Sequence, residues 1–273
     1  MPRTISVVTT FHQAGYEKYG QRMITTFLQN WPADITLHVY AENCTVKEQA
    51  DNLRVYDLHA VSPEIVDFKT KWANVPHANG DITSMPHLMG RKDKTKSFKW
   101  DAIRFSHKVY SIFHCAKTCN NDLLLWMDAD TVCHEPISHD RIEQLCQADR
   151  DLCYLGRKGK YSECGLYSLN LKSDNCQLFL KEFQRMYDHA EIGIFNLVEW
   201  HDSFVFDAVR QKIPSLKLLD WSSHLISGEG HPLINSEWGA YLDHLKGDRK
   251  NIGHSNLGDL KIARKEKYWS RLK

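Results

Sequence analysis

Hydrophobic and polar positions along the chain follow two periods, and the points where one gives way to the other predict its elements. Ile5-Ser6-Val7-Val8-Thr9-Thr10-Phe11 is a β-rich run suited to a central strand. Residues 13–20 then read as a Gly/Tyr-containing loop. From Arg22 to Gln29 the period becomes helical, with Met23, Phe27 and Leu28 on the apolar side and Asn30-Trp31-Pro32 as the stop. Residues 35–40 and 53–58 predict the second and third strands. Strand, helix and strand at this spacing predict parallel pairing through a right-handed crossover.

From Ser62 to Ser97 the pattern breaks down, interrupted by Pro63, Pro76, Gly80, Pro86 and Gly90, with a basic run over 91–96. Two readings stand for this connection: a solvated surface loop, or a flap closing over an anionic ligand. Helical spacing resumes at Phe98, where Phe98, Ala102, Phe105, Val109, Ile112 and Ala116 form one seam. The same register puts Ser97, Asp101, Arg104 and Lys108 together on its flank. Leu123-Leu124-Leu125-Trp126-Met127 is apolar without alternation, which predicts a strand covered on both faces. Beyond it, 141–148, 175–189 and 203–211 read as helices and 152–155 and 164–170 as strands. The final sixty residues look irregular.

With 273 residues the chain can bury a large core, and no internal repeat or linker divides it. The expectation is therefore one α/β domain over 1–273, with a mostly parallel central sheet flanked by helices. Lys+Arg at 35 against Asp+Glu at 34 argues against a nucleic-acid binder that works by overall basicity. No stretch approaches the ~20 apolar residues that span a bilayer. No charged-then-apolar leader is seen, and eight cysteines without a Cys-x-x-Cys pair read as reduced thiols. Together these predict a cytoplasmic protein.

The sharpest chemical signal is Asp128-Ala129-Asp130, placed where the apolar strand ends. Ligands of open α/β sheets bind at the carboxyl ends of strands. Two carboxylates this close repel each other, and a divalent cation relieves that repulsion while supplying charge for a phosphate. Oxygen ligands suit Mn²⁺ or Mg²⁺ better than zinc. The bland alternative is a solvated strand-end turn.

With its strand, this motif resembles the metal-binding signature of GT-A glycosyltransferases: Leu-Leu-Leu-Trp-Met-Asp-Ala-Asp-Thr over 123–131. The stretch Phe98-Lys99-Trp100-Asp101-Ala102-Ile103-Arg104-Phe105-Ser106 is similar to phage and bacterial sugar transferases of that class. The resemblance implies a nucleotide-sugar-binding half over about 1–132 and an acceptor half over about 133–273. It also implies a UDP- or GDP-sugar donor and an acceptor hydroxyl.

Carried over residue by residue, the resemblance puts Thr9, Thr10 and Phe11 against the nucleotide, although ordinary strand-end packing explains them too. Ala129 lies within the motif itself. Arg104 would reach the donor, with Asp101 orienting it or binding a sugar hydroxyl; alternatively the two are a helical (i, i+3) pair. A late histidine completes the metal shell in many members, which points to His254, and Lys261, Arg264 and Lys265 after it would suit the diphosphate. Asp202 opens a predicted helix, where it would cap free N–H groups. In inverting members an acid at such a helix start is the catalytic base. Glu163 and His201 are candidates for sugar hydroxyls.

Two rivals stand beside this reading. Asp128-Ala129-Asp130-Thr131-Val132 also fits the nucleophile motif of haloacid-dehalogenase-type phosphatases, although that motif normally lies on the first strand. A non-catalytic sugar- or nucleotide-binding protein would use some of the eight tryptophans and eleven tyrosines for stacking.

Overall fold

A computed structural model describes residues 2–83, 97–225 and 231–272. The apolar runs become strands of one seven-stranded sheet: β1 (Ile5–His12), β2 (Thr36–Glu42), β3 (Leu53–Asp57), β4 (Leu123–Met127), β6 (Leu152–Leu155), β7 (Glu163–Asn170) and β8 (Leu218–Asp220). Their order is β3-β2-β1-β4-β7-β6-β8. Four adjacent pairs are parallel, and the two that involve β7 are antiparallel. The sheet is thus mostly parallel, as the sequence predicts, with β7 alone reversed.

Among the described residues six helices of eight residues or more accompany it: α1 (Gln21–Asn30), α2 (Pro63–Trp72), α3 (Ala102–Thr118), α4 (His139–Cys146), α5 (Asp174–Asp188) and α6 (Asp202–Arg210). Successive side chains of a strand point to opposite faces, and the core divides accordingly. Val8, Leu124 and Trp126 join the side covered by α3, α5 and α6. Ile5, Val7, Leu123, Leu125 and Met127 join the side covered by α1, α4 and the Leu233, Trp238 and Trp269 side chains. All five residues of β4 are buried. Burying one such side chain stabilises by roughly 1.5–3 kcal/mol, so the acidic motif hangs from a firmly anchored strand.

Three sequence expectations change. Residues 13–20 are helical rather than looped, passing through a wide π-type turn over Tyr16–Gly20 straight into α1. Gly20 serves packing there: a Cβ would lie 2.9 Å from the Phe11 ring. Pro63 starts α2 instead of breaking the pattern, because proline fits the first turn, where its missing N–H is not needed. The long helix begins at Ala102, while Phe98 lies in a separate short turn and is exposed. The 62–97 connection is partly regular, with α2 and a short helical turn at Pro76–Asn79, while the basic run 91–96 lies outside the described residues.

The C-terminal stretch is less irregular than it reads. Leu242–His244 forms β9, which pairs antiparallel with β5 (Thr131–Cys133), just after the acidic motif. Among the described residues, no helix is long and apolar enough to cross a membrane.

Candidate functional site

The strand directions put the carboxyl ends of β1, β2 and β4 and the start of β7 at one edge of the sheet. A cleft with two lobes opens there. The first, about 340 Å³, is lined by Thr10, Phe11, His12, Tyr19 and Glu42. The second, about 490 Å³, is lined by Tyr161, Glu163, His201, Asp202, His244 and Lys246. Arg104, Lys108, Asp128, Asp130 and Lys250 line both.

The β5–β9 register sets Thr131 opposite His244. That pairing delivers the imidazole to the acidic pair: Nε2 lies 3.0 Å from Asp130 Oδ1 and 3.4 Å from Asp128 Oδ2. One ligand atom from each of the three residues fits within 4.8 Å. Gly165 makes room, since a Cβ there would sit 2.4 Å and 2.5 Å from atoms of the His244 ring. Behind that ring, Glu163 Oε1 is 3.7 Å from Nδ1. That is longer than a hydrogen bond and leaves Nδ1 unpartnered, but it is the side on which a metal-binding histidine usually has a carboxylate. Two carboxylates and one imidazole are a donor set that suits Mn²⁺ or Mg²⁺, the nitrogen favouring the former.

Charge is densely paired around this centre. Asp128 Oδ1 accepts from Trp126 Nε1 at 2.7 Å and from Lys108 Nζ at 3.1 Å. Lys108 is buried, donates also to the Cys164 carbonyl, and lies 2.7 Å from Asp202 Oδ2. Lys250 Nζ stands 2.7 Å from Asp130 Oδ2. Glu163 pairs with Lys246 and, at 3.8 Å, with Arg157. Burial disfavours the charged forms of Asp128, Asp130, Glu163 and His244, and the partners outweigh it. Lys108 and His244 hold the Asp128 carboxyl far below its usual range, and His244 lowers that of Asp130. Glu163, buried beside Lys246 and His244, is brought down to about 2. His244, buried between the two aspartates, is pushed up to about 9.

The structure brings most of the predicted residues to this cleft. Asp128, Ala129, Asp130, Arg104, Thr10, Phe11, Glu163, His201 and Asp202 all line it. Arg104 is exposed, its guanidinium 5.7 Å from the Phe105 ring. The Thr10 hydroxyl donates to the Tyr40 carbonyl and so ties β1 to β2, while Phe11 stacks on Tyr16. Asp202 is the first residue of α6 rather than its cap, a position His201 takes. His201 is buried against Tyr161 and Phe98, with Nε2 2.9 Å from Glu199 Oε2.

Four residues fall elsewhere. Asp101 caps α3 by accepting from the Arg104 backbone N–H, which replaces the side-chain pair considered from spacing. Thr9 is buried within β1 and does not line the cleft. Lys261 is exposed, with its backbone N–H on Asn235 Oδ1, and the cation beside Asp130 is Lys250 instead. His254 lies away from the acidic pair and donates from Nδ1 to the Ser255 carbonyl. The reason is alternation along β9: Asp243, which faces away from His244, accepts from Ser255 N and Oγ and carries the 254–255 segment to its own side.

Sequence reading missed His244, Lys250 and Glu42, and noted Lys108 only by register. The segment Leu242-Asp243-His244-Leu245 carries no period-2 pattern that could have pointed to the first. Its partner strand, three residues long, gave no signal either.

No protein-family model matches the chain, and no curated protein is similar to it in sequence. Among solved structures it is similar to the apo structure of the WbbM bifunctional glycosyltransferase, with 10% identity and a TM-score of 0.48. The alignment covers 81% of this chain and 39% of that one, so this chain spans well under half of the neighbour's length.

Proposed function

We propose that the chain is a metal-dependent glycosyltransferase that moves a sugar from a nucleotide-diphospho-sugar to an acceptor hydroxyl. One observation carries the reading: Asp128, Asp130 and His244 converge at the carboxyl end of a central strand, between two lobes of one cleft. A strand-end crevice is where α/β sheets receive nucleotides, and a cleft with a cation site at its waist suits a diphosphate bridging two chemically different halves.

In this reading Asp128, Asp130 and the neutral imidazole of His244 hold Mn²⁺ or Mg²⁺, with Glu163 orienting the ring. The ion, when bound, supplies charge that offsets the build-up on the leaving nucleoside diphosphate. Arg104 and Lys250, which line both lobes, add fixed positive charge for the phosphates. The nucleotide takes the lobe of Thr10, Phe11 and Tyr19, and the acceptor enters the lobe of Tyr161, His201 and Asp202.

Asp202 is the residue proposed to receive the acceptor's proton if the reaction inverts configuration. Its Lys108 partner, 2.7 Å from Oδ2, competes for that oxygen. A second role follows from the same contact: Asp202 fixes the ammonium that also holds Asp128 in place.

The test is a panel of UDP- and GDP-sugars with Mn²⁺, reading nucleoside diphosphate release and thermal shift. Release with at least one donor, abolished by Asp130→Ala and by His244→Ala, is the expected result. Release that persists in Asp130→Ala would sink the metal assignment. Turnover of a phosphoester in place of any donor would favour the phosphatase reading.

A further inference from the structure

A second cluster of metal-ligating side chains stands at the rim of the first lobe, apart from the acidic pair. Glu42 ends β2, His59 lies in the short helix Leu58–Val61 that follows β3, and His107 is on the inner side of α3. The three offer one ligand atom each within 4.8 Å. Their side chains are largely but not fully buried, at 12%, 23% and 18% exposure.

Three nitrogens crowd one oxygen here. Glu42 Oε1 is 2.6 Å from Lys69 Nζ, 3.1 Å from His107 Nε2 and 3.8 Å from His59 Nε2. Lys69 Nζ is also 3.2 Å from His59 Nε2. An ammonium has no lone pair and can only donate, so His59 presents its lone pair to a cation. Burial, followed by the neighbouring Lys69, holds the His59 ring below its ordinary value, in keeping with a neutral acceptor. His107 Nε2 stands 3.1 Å from the Glu42 carboxylate as an ion-pair contact, yet it makes no hydrogen bond of good geometry.

One carboxylate satisfies one ammonium, and Lys69 already supplies it at 2.6 Å. Two imidazoles from separate elements turned toward the same oxygen are more donors than that single charge needs. We propose that Glu42, His59 and His107 form a second metal site, selective for a zinc-type ion, which the Lys69 ammonium fills in the metal's absence. Two histidines and one glutamate with an open fourth position are a donor set that zinc takes readily. Lys69 sits on α2 with 27% of its side chain exposed, so it has a path to solvent when displaced. Because Glu42 and His107 also line the first lobe, an ion here would clamp β2, the turn after β3 and α3 around that lobe.

The test uses the chelator-stripped 273-residue chain titrated with Co²⁺, whose strong visible absorption reports a tetrahedral site. His244→Ala serves as background, because it leaves the acidic pair with oxygen ligands alone, which give only weak octahedral absorption. In that background one Co²⁺ per chain is expected to produce the strong band, and Zn²⁺ to displace it. Adding His59→Ala or, independently, His107→Gln removes the band. Lys69→Met tightens binding about tenfold, the equivalent of losing a competing, partly buried ion pair. Absence of the band in His244→Ala, its survival when both His59 and His107 are replaced, or an unchanged affinity in Lys69→Met would each overturn the proposal.

Discussion

Replacing Lys108 by methionine removes the cation that joins the two halves of the cleft while keeping most of the side-chain volume. The lysine is 9% exposed, with its ammonium 3.1 Å from Asp128 and 2.7 Å from Asp202. It also lies over the Trp126 ring at 4.6 Å. Removing one partner of a buried ion pair costs about 3–5 kcal/mol, because the other charge stays behind. Asp128 keeps 30% exposure and can be partly rescued by water, which favours the lower end, about 3 kcal/mol. For a chain of this size that corresponds to a melting temperature lower by about 6–12 °C.

The pH dependence of that loss follows from the directions of the shifts. Lys108, raised above its ordinary value by Asp128 and Asp202 against burial, contributes stability below 10.5 that disappears as pH rises beyond it. Asp128, lowered chiefly by Lys108 against burial, contributes stability above 3.8 that disappears as pH falls through its folded value. The gap between wild type and variant is therefore full between pH 4 and pH 10 and shrinks only below 3.8, as Asp128 is protonated. Urea unfolding of both proteins at pH 7 and pH 2.5 measures it. A gap under about 1 kcal/mol at pH 7, or one that does not shrink on acidification, would refute the reasoning.

Three further outcomes are expected. Glu163→Gln weakens the carboxylate behind His244 and lowers Mn²⁺ affinity about 10–100-fold, as read by calorimetry. Gly165→Ala drives a methyl into the His244 ring, where the Cβ would approach to 2.4 Å; it costs about 1–3 kcal/mol and weakens the same Mn²⁺ binding. His244, at about 9 in the metal-free chain, gives stability that is present below 6.5 and lost as pH rises through 9. The melting temperature of metal-free protein should accordingly fall between pH 7 and pH 9, and His244→Gln should abolish that slope.

The sheet was legible in the sequence wherever burial left an unbroken mark. Residues 123–127 are apolar at every position because both faces of β4 are covered, and that run also located the acidic pair. Short elements were opaque for the opposite reason. β5 and β9 hold three residues each, too few for any period to declare itself, yet their pairing is what brings His244 beside the acidic pair. Glycine and proline misled where packing, not turning, required them, as at Gly20 and Pro63. Lys108 was placed on the correct flank of its helix by register. Its bridging role depends on two carboxylates from distant segments, which spacing on one helix cannot convey.

The β5–β9 pairing also fixes an order of assembly. Every strand of the large sheet is in hand once residue 220 has been made, whereas the imidazole and the Lys250 ammonium arrive only with residues 242–252. A chain growing from the ribosome therefore gains its scaffold before it gains its chemistry. Until the last segment docks, the two aspartates face each other with neither His244 nor Lys250 to offset them.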